Sequence, residues 1–153
     1  MGIGLVWLLN LVFVLDPANQ FFPTFRDTAL SFAPTTLGGP GFANFVADHA
    51  TFFAWVTALL TAYLAFAFVA GFTTRLACVV GTLASVAFLV TQYLSTFQSP
   101  GGTDVGPHPL YLLVYLILLV GGGGRFLSVD AWIWARRKLR FPQLFRLLAG
   151  PRA

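Results

Sequence analysis

The chain has 153 residues, room for one domain (1–153), and is 58% hydrophobic, 16% aromatic and only 9% charged. Soluble domains carry about 25% charged residues, so a water-soluble fold is excluded and the expected solvent is lipid. The net charge of +4 comes from nine basic residues against five aspartates, and the single Cys78 rules out an intrachain disulfide, a CxxC pair and a thiolate metal cage.

Residues 2–15 form the first apolar run, interrupted only by Asn10. A secretory signal is the alternative, but no positive stretch precedes the run and "VLDPANQ" is a poor cleavage site. A short or tilted first membrane helix, or one beginning late, is the better reading. The loop 16–49 follows. Phe22, Phe25, Ala29 and Phe32, then Phe42, Phe45, Val46 and His49, fall at helical spacing, with Pro23, Pro34 and Pro40 between. These predict short helices lying flat at the membrane interface, or a lid packed over the membrane helices.

Two charge-free runs come next, and they predict spans over 50–72 and 76–97. About 20 helical residues cross roughly 30 Å of hydrocarbon. Both runs meet that length easily, whereas the fourth run, 108–124, is marginal and ends in four glycines. Ala54, Ala58 and Ala62 in the second run, and Ala77, Gly81 and Ser85 in the third, repeat every four residues. Small residues so placed let membrane helices approach closely. Aromatic residues at the segment ends suit an interfacial belt, and Asn10, Gln92 and Tyr93 are expected to hydrogen-bond across helices, because lipid offers no partner.

The tail 126–149 predicts an amphipathic helix, with Ser128 as its N-cap and Asp130 against its dipole. Trp132, Ile133 and Trp134 supply its apolar face, and Arg136, Arg137, Lys138 and Arg140 its bases. The basic residues fix an orientation: Arg75 and the tail fall on one side, while the acidic connectors 16–49 and 98–108 fall on the other. That is the positive-inside arrangement for four crossings with both termini cytoplasmic. The fold expectation is therefore all-α: a polytopic membrane four-helix bundle with external interfacial loop helices and a cytoplasmic amphipathic tail. The tail's partners are anionic lipid headgroups. Nucleic acid is a poor partner, since the cluster is juxtamembrane and its aromatics fit an interface.

Chemistry is sparse. Asp48 and His49 share the external face with Asp104 and His108, and imidazole with carboxylate suits several transition metals. Against that, "PGGTDVGPHP" is turn chemistry, and Asp48 and His49 suit the start of the second span as caps. A resident metal is the less favoured reading. The spans contain no acidic or basic residue, which argues against a proton relay, pump or voltage sensor. A P-loop, a GxGxxG and a useful Ser–His–Asp order are absent, and neither inverted repeats nor broken charged helices support a transporter.

At "AGFTTRLA" and "GGGGRFLSVDAW" the chain resembles the DoxX family of small four-helix membrane proteins, whose second and third helices meet at a Gly–x–Thr–Arg turn and whose fourth helix ends in a Gly–Arg–x–Ser–Leu–Asp type motif. Gly71, Thr74 and Arg75 fill the turn. Gly124, Arg125, Ser128 and Asp130 fill the second motif, with Val129 in the leucine place. The arginine that members usually carry just before the first helix is missing. A related pattern occurs in the small subunit of thiosulfate:quinone oxidoreductase. The resemblance implies a bacterial cytoplasmic (inner) membrane location and a redox neighbourhood, without an agreed catalytic residue. Three expectations follow: a non-catalytic accessory or structural subunit of a larger membrane oxidoreductase or oxygenase complex; an electron-transfer subunit holding a quinone, or a bound lipid, at Gln92, Tyr93 or Arg125; and an external metal binder. A structural role for Arg75 and Arg125, as ion pairs or snorkelling side chains, stands beside the second.

Overall fold

The computed structural model of the protein describes residues 2–34, 36–98, 108–121 and 129–135. Every element among them is helical: α1 (Gly2–Leu15), α2 (Phe21–Ser31), α3 (Gly39–Asp48), α4 (Ala50–Ala70), α5 (Thr74–Gln98), α6 (His108–Gly121) and α7 (Val129–Ala135). A short 3-10 turn, Pro17–Asn19, separates α1 from α2 and is capped by Asp16, whose carboxylate accepts the Ala18 N–H. At 1.5 Å per residue α4 is about 31 Å long and α5 about 37 Å, whereas α1 and α6 reach about 21 Å each. Two helices, α4 and α5, are thus long and apolar enough to cross a membrane, and a third crossing is formed if α1 and α2, bent by 69° at Asp16–Pro17, count as one broken span.

Helices α1, α4, α5 and α6 share one buried cluster: Trp7, Leu64, Phe68, Ala77, Cys78, Tyr111 and Tyr115 belong to it. In lipid such a cluster gains little from leaving the solvent, so close van der Waals fit must hold it together. The small residues serve that fit. Gly4 lies directly on the backbone of α4, where an added Cβ would come within 2.8 Å of the Phe68 carbonyl carbon and the Val69 nitrogen. Gly81 receives the ring of Tyr115, which a Cβ would meet at 2.8 Å. Ala54, Ala58, Ala77 and Ser85 of the two small-residue stripes are buried, while Ala62 is half-buried.

Inside the cluster Trp7 Nε1 donates a hydrogen bond to the Tyr115 hydroxyl, and the Tyr115 ring stacks on Phe68 at 5.5 Å and 10°. An indole N–H enclosed by apolar helices needs an acceptor. Ser85 Oγ is buried on α5 and forms no hydrogen bond among the described residues. Tyr115→Phe should therefore strand the Trp7 N–H and destabilise the fold by about 1–2 kcal/mol. Reversible unfolding in mixed micelles, followed by circular dichroism, measures it. The penalty should shrink in a Trp7→Phe background, and full additivity would show that the bond contributes nothing.

The loop region is helical and attached. Phe22 of α2 packs on Trp55 of α4 at 4.9 Å, and Phe45 of α3 on Phe53 at 5.9 Å. Between α2 and α3 the Leu37 N–H and the Thr36 hydroxyl both donate to the Val90 carbonyl of α5, at 3.0 and 3.1 Å. Thr24, Thr28 and Ser31 return their hydroxyls to carbonyls three or four residues back. This leaves α2 with few free donors at an apolar boundary. Asn10 departs from expectation. It is exposed on α1 rather than buried between helices; a uniformly apolar helix does not reveal by pattern which of its faces meets its neighbours.

Candidate functional site

The two sequence motifs that are farthest apart meet at one point. Helix α4 ends at Gly71, whose φ of 67° lies in the left-handed region that glycine adopts without strain. The Phe72 N–H then closes back on the Ala67 carbonyl at 3.0 Å, the six-residue reversal that ends many helices. Thr73 follows at φ 51°, a conformation rare for a β-branched residue and worth about 1–3 kcal/mol of strain. Its carbonyl accepts the Ala77 N–H at 2.9 Å, so Thr73 is the residue from which α5 starts.

A helix start leaves backbone N–H groups without partners, and here Asp130 supplies them from more than fifty residues away in the chain. Its Oδ1 accepts the Thr73 N–H at 2.8 Å. Its Oδ2 accepts the Thr74 N–H at 2.9 Å and the Thr74 hydroxyl at 3.0 Å. The Asp130 N–H donates in return to the Gly71 carbonyl at 3.1 Å. The carboxylate is 1% exposed and lies at the positive end of the α5 dipole. The strained Thr73 is fixed from its other side too: its hydroxyl donates to the Phe72 carbonyl at 2.7 Å, which leaves its oxygen to accept the Tyr63 hydroxyl at 3.1 Å.

As expected, Asp130 stands in the first turn of α7; its carboxylate in addition receives the N–H groups that open α5. A buried carboxylate that accepts three hydrogen bonds from backbone and threonine donors acts as a latch between α7 and the start of α5. Arg75 is exposed, and no ion pair forms among the described residues. Gly124, Arg125 and Ser128 lie outside the described residues.

The other expected site residues are scattered. Gln92 and Tyr93 lie on α5 about 27 Å beyond Thr74 at 1.5 Å per residue, at the end remote from the latch; their side chains, like Arg125, are outside the described residues. Asp48 and His49 are both exposed at the α3–α4 junction. His49 Nδ1 donates to the Phe45 carbonyl at 3.0 Å, its ring rests on the Phe45 ring at 4.8 Å, and its side chain does not cap α4. Asp104 lies outside the described residues, and His108 opens α6 with its side chain outside them too. Among the described residues no group of three metal-ligating side chains comes together.

Sequence reasoning did not single out Trp7, Tyr111 or Tyr115. The signal was present: Tyr111 and Tyr115 are one turn apart, facing a helix whose Gly81 leaves room for a ring. No protein-family model matches the chain, and no curated protein or solved structure proves similar to it.

Proposed function

We propose that the protein is a DoxX-like, four-pass subunit of a bacterial inner membrane, with α1, α4, α5 and α6 as its crossings and both termini cytoplasmic. It serves as a non-catalytic accessory or structural subunit of a larger membrane oxidoreductase or oxygenase complex. One observation carries this reading: among the described residues the buried carboxylate of Asp130 accepts three hydrogen bonds, all of which fasten α7 to the α4–α5 turn. The buried Trp7–Tyr115 pair is likewise spent on joining helices. The latch also joins the two motifs of the DoxX resemblance and gives them a reason to occur together, since Gly71 makes the turn and Asp130 closes it.

Gentle extraction of tagged protein from native membranes tests the proposal. The expected result is a stoichiometric complex with redox subunits. Recovery of the chain with no other polypeptide, from membranes where it is functional, overturns it. Quinone recovered from such a preparation, and lost on Gln92→Ala or Tyr93→Phe, would move the reading from accessory to electron-transfer subunit.

A further inference from the structure

Helix α1 carries one polar side chain that no described residue of the chain engages. Asn10 is exposed on the outside of α1, and its side-chain amide forms no hydrogen bond among the described residues. Its depth follows from the packing. Gly4 touches α4 at Phe68 and Val69, while Phe22, past the far end of α1, touches Trp55. The two helices are therefore antiparallel. Six residues on from Gly4, about 9 Å along the axis, Asn10 stands level with residues 62 and 63. The middle of Ala50–Ala70 is residue 60, so Asn10 lies within about 5 Å of the centre of that span.

At that depth the short side chain cannot reach headgroups, and hydrocarbon offers neither donor nor acceptor. None of the described residues satisfies the amide, and a second polypeptide can. Asparagine is complementary to itself, with an acceptor oxygen and donor nitrogen on one planar group. Two copies related by a twofold axis along the membrane normal place their Asn10 residues at equal depth automatically. A different polypeptide would need its own polar group at matching height. The surrounding surface is apolar: Leu9 and Phe13 lie beside Asn10 on α1, while Val6, at the edge of this face, is half-buried against the chain's own core. Leu9 and Phe13 are 69% and 54% exposed.

We infer that this face of α1 is a homodimer seam, closed by reciprocal Asn10–Asn10 hydrogen bonds between two copies of the chain. The inference requires α4 to span the membrane; it holds whether or not the dimer joins a larger complex.

Counting of labelled wild-type protein in lipid bilayers, over a range of protein-to-lipid ratios, tests it. Dimers are expected. Asn10→Leu should weaken them roughly five- to thirtyfold, and Asn10→Gln should restore most of the affinity. Both variants should keep the wild-type circular dichroism, since Asn10 makes no hydrogen bond among the described residues. In a Cys78→Ala background, Phe13→Cys should cross-link between copies and Leu8→Cys, on the opposite flank, should not. Wild-type monomers at every ratio, an Asn10→Leu dimer as tight as wild type, or equal cross-linking from Leu8→Cys would overturn the seam. Cross-linking of Phe13→Cys only to a different polypeptide would overturn it as well.

Discussion

Replacing Asp130 with alanine should destabilise the protein by about 3 kcal/mol or more. The estimate combines two buried backbone N–H groups and one hydroxyl left without an acceptor with the loss of a helix cap. Thr73 adds to the damage, because its left-handed backbone persists only while its neighbours fix it. Asp130→Asn should recover only part of this: one oxygen remains, but in either orientation the amide nitrogen faces a backbone N–H, that of Thr73 or that of Thr74. The loss should be local first, so amide exchange across Phe72–Ala77 should accelerate before global unfolding, and α7 should detach from the turn. Unfolding in mixed micelles and residue-resolved hydrogen exchange read the two effects. An Asp130→Ala protein within 0.5 kcal/mol of wild type would mean that the latch does not hold.

Gly4→Val should have the second largest effect. The atoms that a Cβ meets are backbone, at 2.8 Å for the Phe68 carbonyl carbon and the Val69 nitrogen and 3.0 Å for the Phe68 oxygen. A helix backbone cannot yield as a side chain does, so α1 must move away from α4. That movement also pulls Trp7 from Tyr115, one turn along. Overpacking costs about 1–3 kcal/mol where side chains can rearrange, and here the upper end is expected for valine, with Gly4→Ala intermediate. The same micelle unfolding measures it, and a Gly4→Ala protein as stable as wild type would contradict so close an approach of α1 and α4.

The helices were legible because each apolar run is bounded by strong punctuation. Asp16–Pro17 bends the chain after α1, and Gly71 ends α4. The loop helices announced themselves through phenylalanines at helical spacing. Long-range polar contacts left no such trace. Asp130 read as a first-turn charge on the dipole of its own helix, and sequence distance hides the turn at Thr73 and Thr74 that folding brings to it. Aromatic residues in the apolar runs were equally ambiguous: a belt and a core use the same residue types, and only the groove at Gly81 selects Tyr115 for the interior. Asn10 shows the same limit, because nothing in a helix apolar on all sides marks the face turned away from its neighbours. The metal expectation rested on Asp48, His49, Asp104 and His108 sharing a side of the membrane, which topology alone does not turn into a cluster.

The account depends most on the chain threading the membrane with its acidic connector and its basic tail on opposite sides. Single cysteines at Thr103 and Arg146, in a Cys78→Ala background, can be labelled in sealed vesicles of known orientation with a reagent that does not cross the bilayer. Labelling of Thr103→Cys only from the external side and Arg146→Cys only from the cytoplasmic side is the predicted result. Labelling of both from the same side would contradict it.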